Sequence, residues 1–137
     1  MLVTGAGGTI GSELARQISA LEPSRIALLD NGEYQLYTID HEISVGYPDL
    51  PRSAVICDVR DRKRLDEIMA AETPALVFHA AAYKHVPILQ SQVREAVRNN
   101  VFGTAEMIEA AHRHDAGSFV LISTDKAVRP SSVMGAT

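Results

Sequence analysis

The segment Thr4-Gly5-Ala6-Gly7-Gly8-Thr9-Ile10-Gly11 constrains this chain more than any other. It joins a short apolar run, Met1–Thr4, to a stretch of helical period, and its glycines recur as Gly5-x-x-Gly8-x-x-Gly11. At that spacing Gly5 lets the chain turn sharply off a strand. Gly8 leaves the backbone open to a pyrophosphate, and Gly11 lets helix pack closely on strand. The helix is read over Ser12–Leu21, with Leu14, Ile18 and Leu21 on one face, before Pro23 stops it. Its N-terminus, approached through Thr9 and Ile10, turns free N–H groups and a positive dipole end toward the phosphates. No Gly-Lys-[Ser/Thr] follows, which excludes a P-loop. The loop predicts dinucleotide binding by Gly5, Gly8, Thr9, Ile10 and Gly11.

The rest of the chain repeats the same alternation of short apolar runs with longer helical periods. Strands are expected at Arg25–Asp30, Ser53–Cys57, Ala75–His79 and Ser118–Ser123. Helices are expected at Glu33–Ser44 (Leu36, Ile39, Ile43 inward), Arg62–Glu72 (Leu65, Ile68, Met69 inward) and about Glu95–His114 (Val97, Val101, Ile108, Ala111 inward). Continuously apolar strands indicate a sheet covered on both faces. Right-handed crossovers then give an α/β, doubly wound parallel sheet of Rossmann type, in strand order 3-2-1-4-5 and ending after strand five. A flavodoxin-like sheet is the alternative, and the glycine spacing decides against it.

Composition narrows the functional classes. The 137 residues fit one domain, with no linker, repeat or low-complexity stretch. At 46% hydrophobic and 22% charged they have the make-up of a folded soluble protein. With 13 Lys+Arg against 17 Asp+Glu, the net charge of −4 argues against a general nucleic-acid binder. The single cysteine, Cys57, excludes an internal disulfide and CxxC zinc sites, and no metal site is expected. No stretch approaches the roughly 20 apolar residues of a membrane span, and no signal peptide precedes the first strand. A cytoplasmic setting is expected, without membrane contact by these residues, although a tether elsewhere in a longer chain is compatible with it.

Candidate site residues collect where strands end. Asp30, closing the second strand about twenty residues after the glycine loop, is placed to accept from the ribose hydroxyls and to repel a 2′-phosphate, which favours NAD over NADP. The alternative role for Asp30 is a helix N-cap. Neither Asn31 nor Gly32 supplies a cation for NADP, and Arg60 is the one nearby residue able to swing in. Asp58-Val59 ends the third strand at the adenine edge, where Asp58 either accepts from the exocyclic amine or caps the next helix. After strand four comes His79-Ala80-Ala81-Ala82-Tyr83-Lys84-His85. Ala80, Ala81 and Ala82 leave space for a cofactor, and Lys84 and His85 bring a cation and an imidazole to the nicotinamide and substrate. After strand five, Thr124-Asp125-Lys126 converges a hydroxyl, a carboxyl and an amine at one strand end, as proton transfer requires. Asn99-Asn100 sits inside the longest helix, where Asn is a poor helix former and a local kink is expected.

Together these segments resemble the extended short-chain dehydrogenase/reductase superfamily. Within it they resemble the UDP-N-acetylglucosamine 4,6-dehydratases of capsule and flagellin glycosylation. LLDNGEYQLY, the CDVRDR run, FHAAAYKHVP, EAVRNNVFGT and LISTDKAVRPSSVMGAT carry the resemblance along the whole chain. It implies a tightly bound NAD or NADP and a UDP-sugar substrate. It also implies that Lys126 is the base at C5, Asp125 the acid at the departing C6 hydroxyl, Thr124 a hydroxyl near O4, and Asn100 a helix residue near the cofactor. Met134 stands where the superfamily has its catalytic tyrosine. The tyrosine's partner lysine would fall one position past Thr137, so the chain is expected to be the N-terminal, cofactor-binding part of a larger dehydratase, with the sugar-binding region outside it. Residues 1–137 alone are expected to bind dinucleotide weakly and to turn over no sugar; the longer protein is expected to be a homo-oligomer. A nucleotide-sugar epimerase and a non-catalytic NAD(P)-binding module are the alternatives.

Overall fold

In the computed structural model, which describes residues 1–137, each apolar run becomes a strand and each helical-period stretch the crossover behind it. The strands are β1 (Leu2–Thr4), β2 (Ile26–Asp30), β3 (Arg52–Ile56), β4 (Leu76–His79) and β5 (Ser118–Leu121). They form one all-parallel sheet in the order β3-β2-β1-β4-β5, which is the expected Rossmann-like topology.

Side chains alternate across the sheet, and the two faces bury different cores. Leu2, Ala27, Leu29 and Val77 pack on α3 (Arg62–Glu72) and α6 (Thr104–Arg113), which supply Leu65, Ile68, Met69, Met107 and Ala110. Val3, Ile26 and Leu28 pack on α1 (Thr9–Ala20) and α2 (Glu33–Gly46), which supply Ala15, Ile18, Leu36, Ile39 and Ile43. Both cores reach the central strands β1 and β2, so those strands read as continuously apolar. The edge strands do not: Ile56, Val120 and Leu121 are exposed.

Three helical expectations change. Leu21 lies past the end of α1 and is 77% exposed, because the inward face of α1 runs through Gly11, Ala15 and Ile18 instead. The long helix is composite: α5 (Val93–Ala96), a π-helical segment Val97–Gly103, and α6. The wider π turn rotates the helix between its two ends. Its inward positions are therefore Ala96, Asn99, Gly103, Met107, Ala110 and Ala111, while Val101 and Ile108 face solvent. Two short helices, α4 (Val86–Ser91) and α7 (Val133–Ala136), were too short to show a period. They enclose a third small core of Leu89, Ala96 and Met134.

One buried polar bridge crosses the sheet. The His79 ring nitrogens contact the Thr4 hydroxyl at 2.7 Å and the Thr104 hydroxyl at 3.1 Å, joining β4 to β1 and α6. A neutral imidazole satisfies this by donating to one threonine and accepting from the other. Burial pushes the His79 pKa down to about 4. A depressed folded-state pKa contributes stability that is present above the unfolded value near 6.5 and is lost as pH falls toward 4. Unfolding free energy is accordingly expected to drop between pH 7 and 4.5 by about 2 kcal/mol more in the wild type than in His79→Gln. Denaturant titrations at the two pH values measure the difference; equal losses in both proteins would contradict it.

Candidate functional site

The carboxyl ends of β1, β2, β3 and β4 open onto one cleft of about 710 Å³, the size range of a small-ligand site. Its floor is the glycine loop. Gly5 has φ +64, and a Cβ there would lie 2.6 Å from the Ala80 carbonyl oxygen, so only glycine lets the loop pass over the end of β4. Gly11 is buried against Gly5, and its own Cβ would overlap the Gly5 carbonyl oxygen. Gly8 is the N-cap of α1, with no side chain capping the helix and no acid in its first turn. The first-turn N–H groups are left for a ligand, and the dipole favours an anionic one.

Asp30 holds the second wall. Its Oδ2 accepts from Gly7 N–H at 2.8 Å and its Oδ1 from Gly32 N–H at 2.8 Å, tying the glycine loop to the loop before α2. The N-cap of α2 is Gly32, so Asp30 does not cap that helix. An ionised carboxylate offers about four acceptor positions; two remain for a diol. Asn31, Gly32 and Gln35 line the cleft beside it.

The third wall is the loop after β4. Ala80, Ala81, Ala82, Tyr83, Lys84 and His85 all line the cleft. Lys84 Nζ donates to Thr9 Oγ1 at 3.2 Å, so its ammonium stands at the N-terminus of α1 and spans the loop and the helix. Asn100 fixes this loop: its Oδ1 accepts from Tyr83 N–H at 2.8 Å and its Nδ2 donates to the Tyr83 carbonyl at 3.0 Å. A further bond runs from Nδ2 to Thr137 Oγ1. Asn100 therefore does not line the cleft; the buried Asn99 does, turned inward by the π-helical segment.

At the far end Cys57 and Val59 line the cleft, but Asp58 between them does not. Asp58 is not a helix cap either, since Asp61 caps α3 by accepting from Arg64 N–H. Both Asp58 oxygens instead take hydrogen bonds from Arg60, which also reaches Glu95. That ion pair holds the Asp58 carboxyl below its usual range. Burial, reinforced by Asp61, pushes the Cys57 thiol up to about 11, which leaves it protonated and unreactive near neutrality.

The second sequence cluster is not brought into the cleft. Asp125–Ala127 forms a single 3-10 turn capped by the Thr124 hydroxyl. The Asp125 and Lys126 side chains are 93% and 58% exposed, with Lys126 Nζ 3.8 Å from Asp125 Oδ1. Met134 faces the other way, packed with Leu89 and Ala96. Gly135 lets α7 lie against the Lys126 carbonyl, so α7 supports this turn from beneath. Cleft residues that the sequence reading missed include Gly7, Gln35, Gln92 and Glu95. Gly7 was visible as an extra glycine in the loop; the others depend on how α2 and α5 pack.

The family described as "Polysaccharide biosynthesis protein" matches residues 1–137. The chain is 49% identical to the capsular polysaccharide biosynthesis protein CapD of Staphylococcus aureus, over the whole of this chain and 23% of that protein. It is 30% identical to a UDP-N-acetylglucosamine 4,6-dehydratase (inverting) of Campylobacter jejuni, over the whole of this chain and 40% of that one. Among solved structures, a dTDP-glucose 4,6-dehydratase from Streptomyces venezuelae with NAD and TYD bound superposes with a TM-score of 0.79 at 25% identity. That match covers 98% of this chain and 47% of the other. The chain thus spans less than half the length of each of these proteins.

Proposed function

This chain belongs to the polysaccharide biosynthesis protein family, and from that premise we propose that it is the dinucleotide-binding part of a nucleotide-sugar 4,6-dehydratase. The observation that carries the reading is the cleft itself. A glycine loop that a Cβ would fill, an uncapped helix N-terminus, a part-satisfied Asp30 and an alanine run meet at one sheet edge. These groups fit a dinucleotide: phosphates at Gly8 and the start of α1 with Lys84 beside them, ribose at Asp30, adenine toward Cys57 and Val59. NAD is favoured over NADP, because Asp30 repels a 2′-phosphate and Arg60 is already engaged by two carboxylates.

A bound dinucleotide would supply reversible hydride chemistry, accepting from C4 of the sugar and giving back to C6, so that the net change is the loss of one water. The chain's own residues then handle protons. Oxidation at C4 acidifies the C5 proton; Lys126 removes it and returns a proton to C5 once C6 has regained hydride. Asp125 protonates the C6 hydroxyl as it leaves as water. The Thr124 hydroxyl lies nearest the sugar O4, and His85 and Lys84 border the substrate side of the cleft. The Met134 thioether moves no proton; it packs with Leu89 and Ala96, while the neighbouring Gly135 lies against the turn that carries Asp125 and Lys126. No helix is long and apolar enough to cross a membrane; we assign the domain to the cytoplasmic side, in a homo-oligomeric enzyme.

The test is incubation of the protein at its full natural length with UDP-N-acetylglucosamine. A 4-keto-6-deoxy sugar nucleotide, identified by its loss of one water, is the expected product. An isomer formed without loss of water would assign an epimerase instead. Bound dinucleotide with no sugar product would leave a non-catalytic module.

A further inference from the structure

The turn that carries Asp125 and Lys126 has α7 behind it, and α7 is too short to hold itself in place. It makes a single turn, with Ser132 Oγ capping it by accepting from Gly135 N–H at 3.1 Å. Its place is set from outside, in large part by α4. Met134 packs on Leu89. Gln90 Oε1, from the next residue of α4, accepts from Val133 N–H at 3.2 Å. Val133 is the first helical residue of α7, so its N–H has no acceptor within the helix. At the other end Asn100 Nδ2 donates to Thr137 Oγ1 at 3.1 Å. The same α4 borders the dinucleotide cleft: it starts directly after His85 and turns Ile88 and Leu89 toward it. One short helix thus stands between the cleft and the helix behind the turn.

From this juxtaposition we propose that Gln90 is a positioning residue, whose side-chain oxygen docks α7 onto α4 and so fixes the Asp125–Lys126 turn relative to the cleft. The inference rests on the dehydratase reading, in which that turn carries the proton transfers. Gln90 itself is exposed and lines no part of the cleft, so it is outside the binding machinery. The Leu89–Met134 contact is apolar and sets no direction, which leaves α7 free to turn about it. A hydrogen bond is directional, and the Gln90 bond fixes how α7 is turned. The turn of α7 matters because Gly135 brings backbone against backbone. A Cβ there would overlap the Lys126 carbonyl oxygen and lie 3.4 Å from Pro130 Cβ, so no side chain cushions a rotation of α7 before it reaches the turn. Small displacements of reacting groups cost rate steeply, about 10²-fold for roughly 1 Å. The chemistry required of residue 90 is an acceptor, because an N–H faces it. Glutamate supplies one, and its charge suits a helix N-terminus. Leucine supplies none.

The experiment uses the protein at full natural length with UDP-N-acetylglucosamine, and measures kcat, KM, NAD affinity and the rate at which solvent deuterium enters C5. Gln90→Leu is expected to lower kcat and C5 exchange together by about tenfold, with KM and NAD affinity within about twofold of wild type. Gln90→Glu is expected to keep kcat within about twofold, since the acceptor is retained. Gln90→Lys, which sets a donor against a donor, is expected to match Gln90→Leu and serves if that variant does not fold. A wild type that forms no 4-keto-6-deoxy product overturns the dehydratase reading and this inference with it. An active wild type whose Lys126→Ala variant is equally active removes the turn from the chemistry, and Gln90 with it. Where the wild type and Lys126→Ala behave as expected, a Gln90→Leu kcat within about twofold of wild type overturns the role of Gln90 alone. So does a loss of NAD affinity that matches the loss of kcat, or an equal loss in Gln90→Leu and Gln90→Glu.

Discussion

Gly11→Ala is expected to cost roughly 3 kcal/mol or more of stability, lowering the melting temperature by about 10 °C. The added methyl would lie inside the Gly5 carbonyl, 2.6 Å from its carbon and 2.9 Å from Ala6 Cα. All three contacts are backbone, so no rotamer change relieves them; α1 must lift off the sheet and take Ala15 and Ile18 with it. Gly8→Ala separates folding from binding. Its Cβ meets only the Gly5 carbonyl oxygen, at 3.2 Å, so the fold is expected to lose less than about 1 kcal/mol. The methyl would stand where the phosphates approach, and NAD affinity is expected to fall by roughly tenfold or more. Gly46→Ala is the control. Nothing lies within 4 Å of its Cβ at the end of α2, and a gain of about 0.5 kcal/mol is expected. Thermal melts with and without NAD read all three. A Gly11→Ala melt within about 2 °C of wild type would contradict the packing argument.

The contrast between those glycines explains what the sequence made legible. Gly5, Gly8 and Gly11 act through backbone spacing within one loop, and local spacing is visible in the chain. The same holds for Leu36, Ile39 and Ile43, which face inward because α2 is regular throughout its length. The long helix was misread from a single 3.6-residue period. The π-helical turn shifts its phase, so the phase that suits one end exposes Val101 and Ile108. The Asn99-Asn100 pair did mark the irregularity, but which asparagine enters the cleft depends on a tertiary contact, the clamp of Asn100 on the Tyr83 backbone. Asp58 shows the same boundary. Its place at the end of β3 was legible, and the Arg60 that engages it lies two residues on; that Arg60 also reaches Glu95 depends on α5 arriving from 35 residues away.

Lys126→Ala and Asp125→Asn are expected to lower kcat of the full-length enzyme by about 10²–10⁴-fold, the range for a lost acid–base group, with NAD affinity unchanged. Neither side chain lines the cleft, and both are exposed. Exposure is the reason to expect an effect on turnover rather than on stability: no buried contact is lost. It also sets a condition on the chemistry. A lysine acts as base only when burial or nearby cations lower its pKa, and an aspartic acid holds its proton only when desolvated. Both side chains are exposed here, so that burial must come with bound sugar and with the protein that encloses it. The two variants are distinguishable in deuterated water. With Lys126 removed, neither dehydration nor solvent deuterium at C5 is expected. With Asp125→Asn, C5 still exchanges while loss of water from C6 is slow, so deuterated starting sugar accumulates. If both variants keep turnover within about threefold of wild type, the proton transfers belong to residues beyond this turn, and Thr124-Asp125-Lys126 is a capped 3-10 turn that positions the chain after β5.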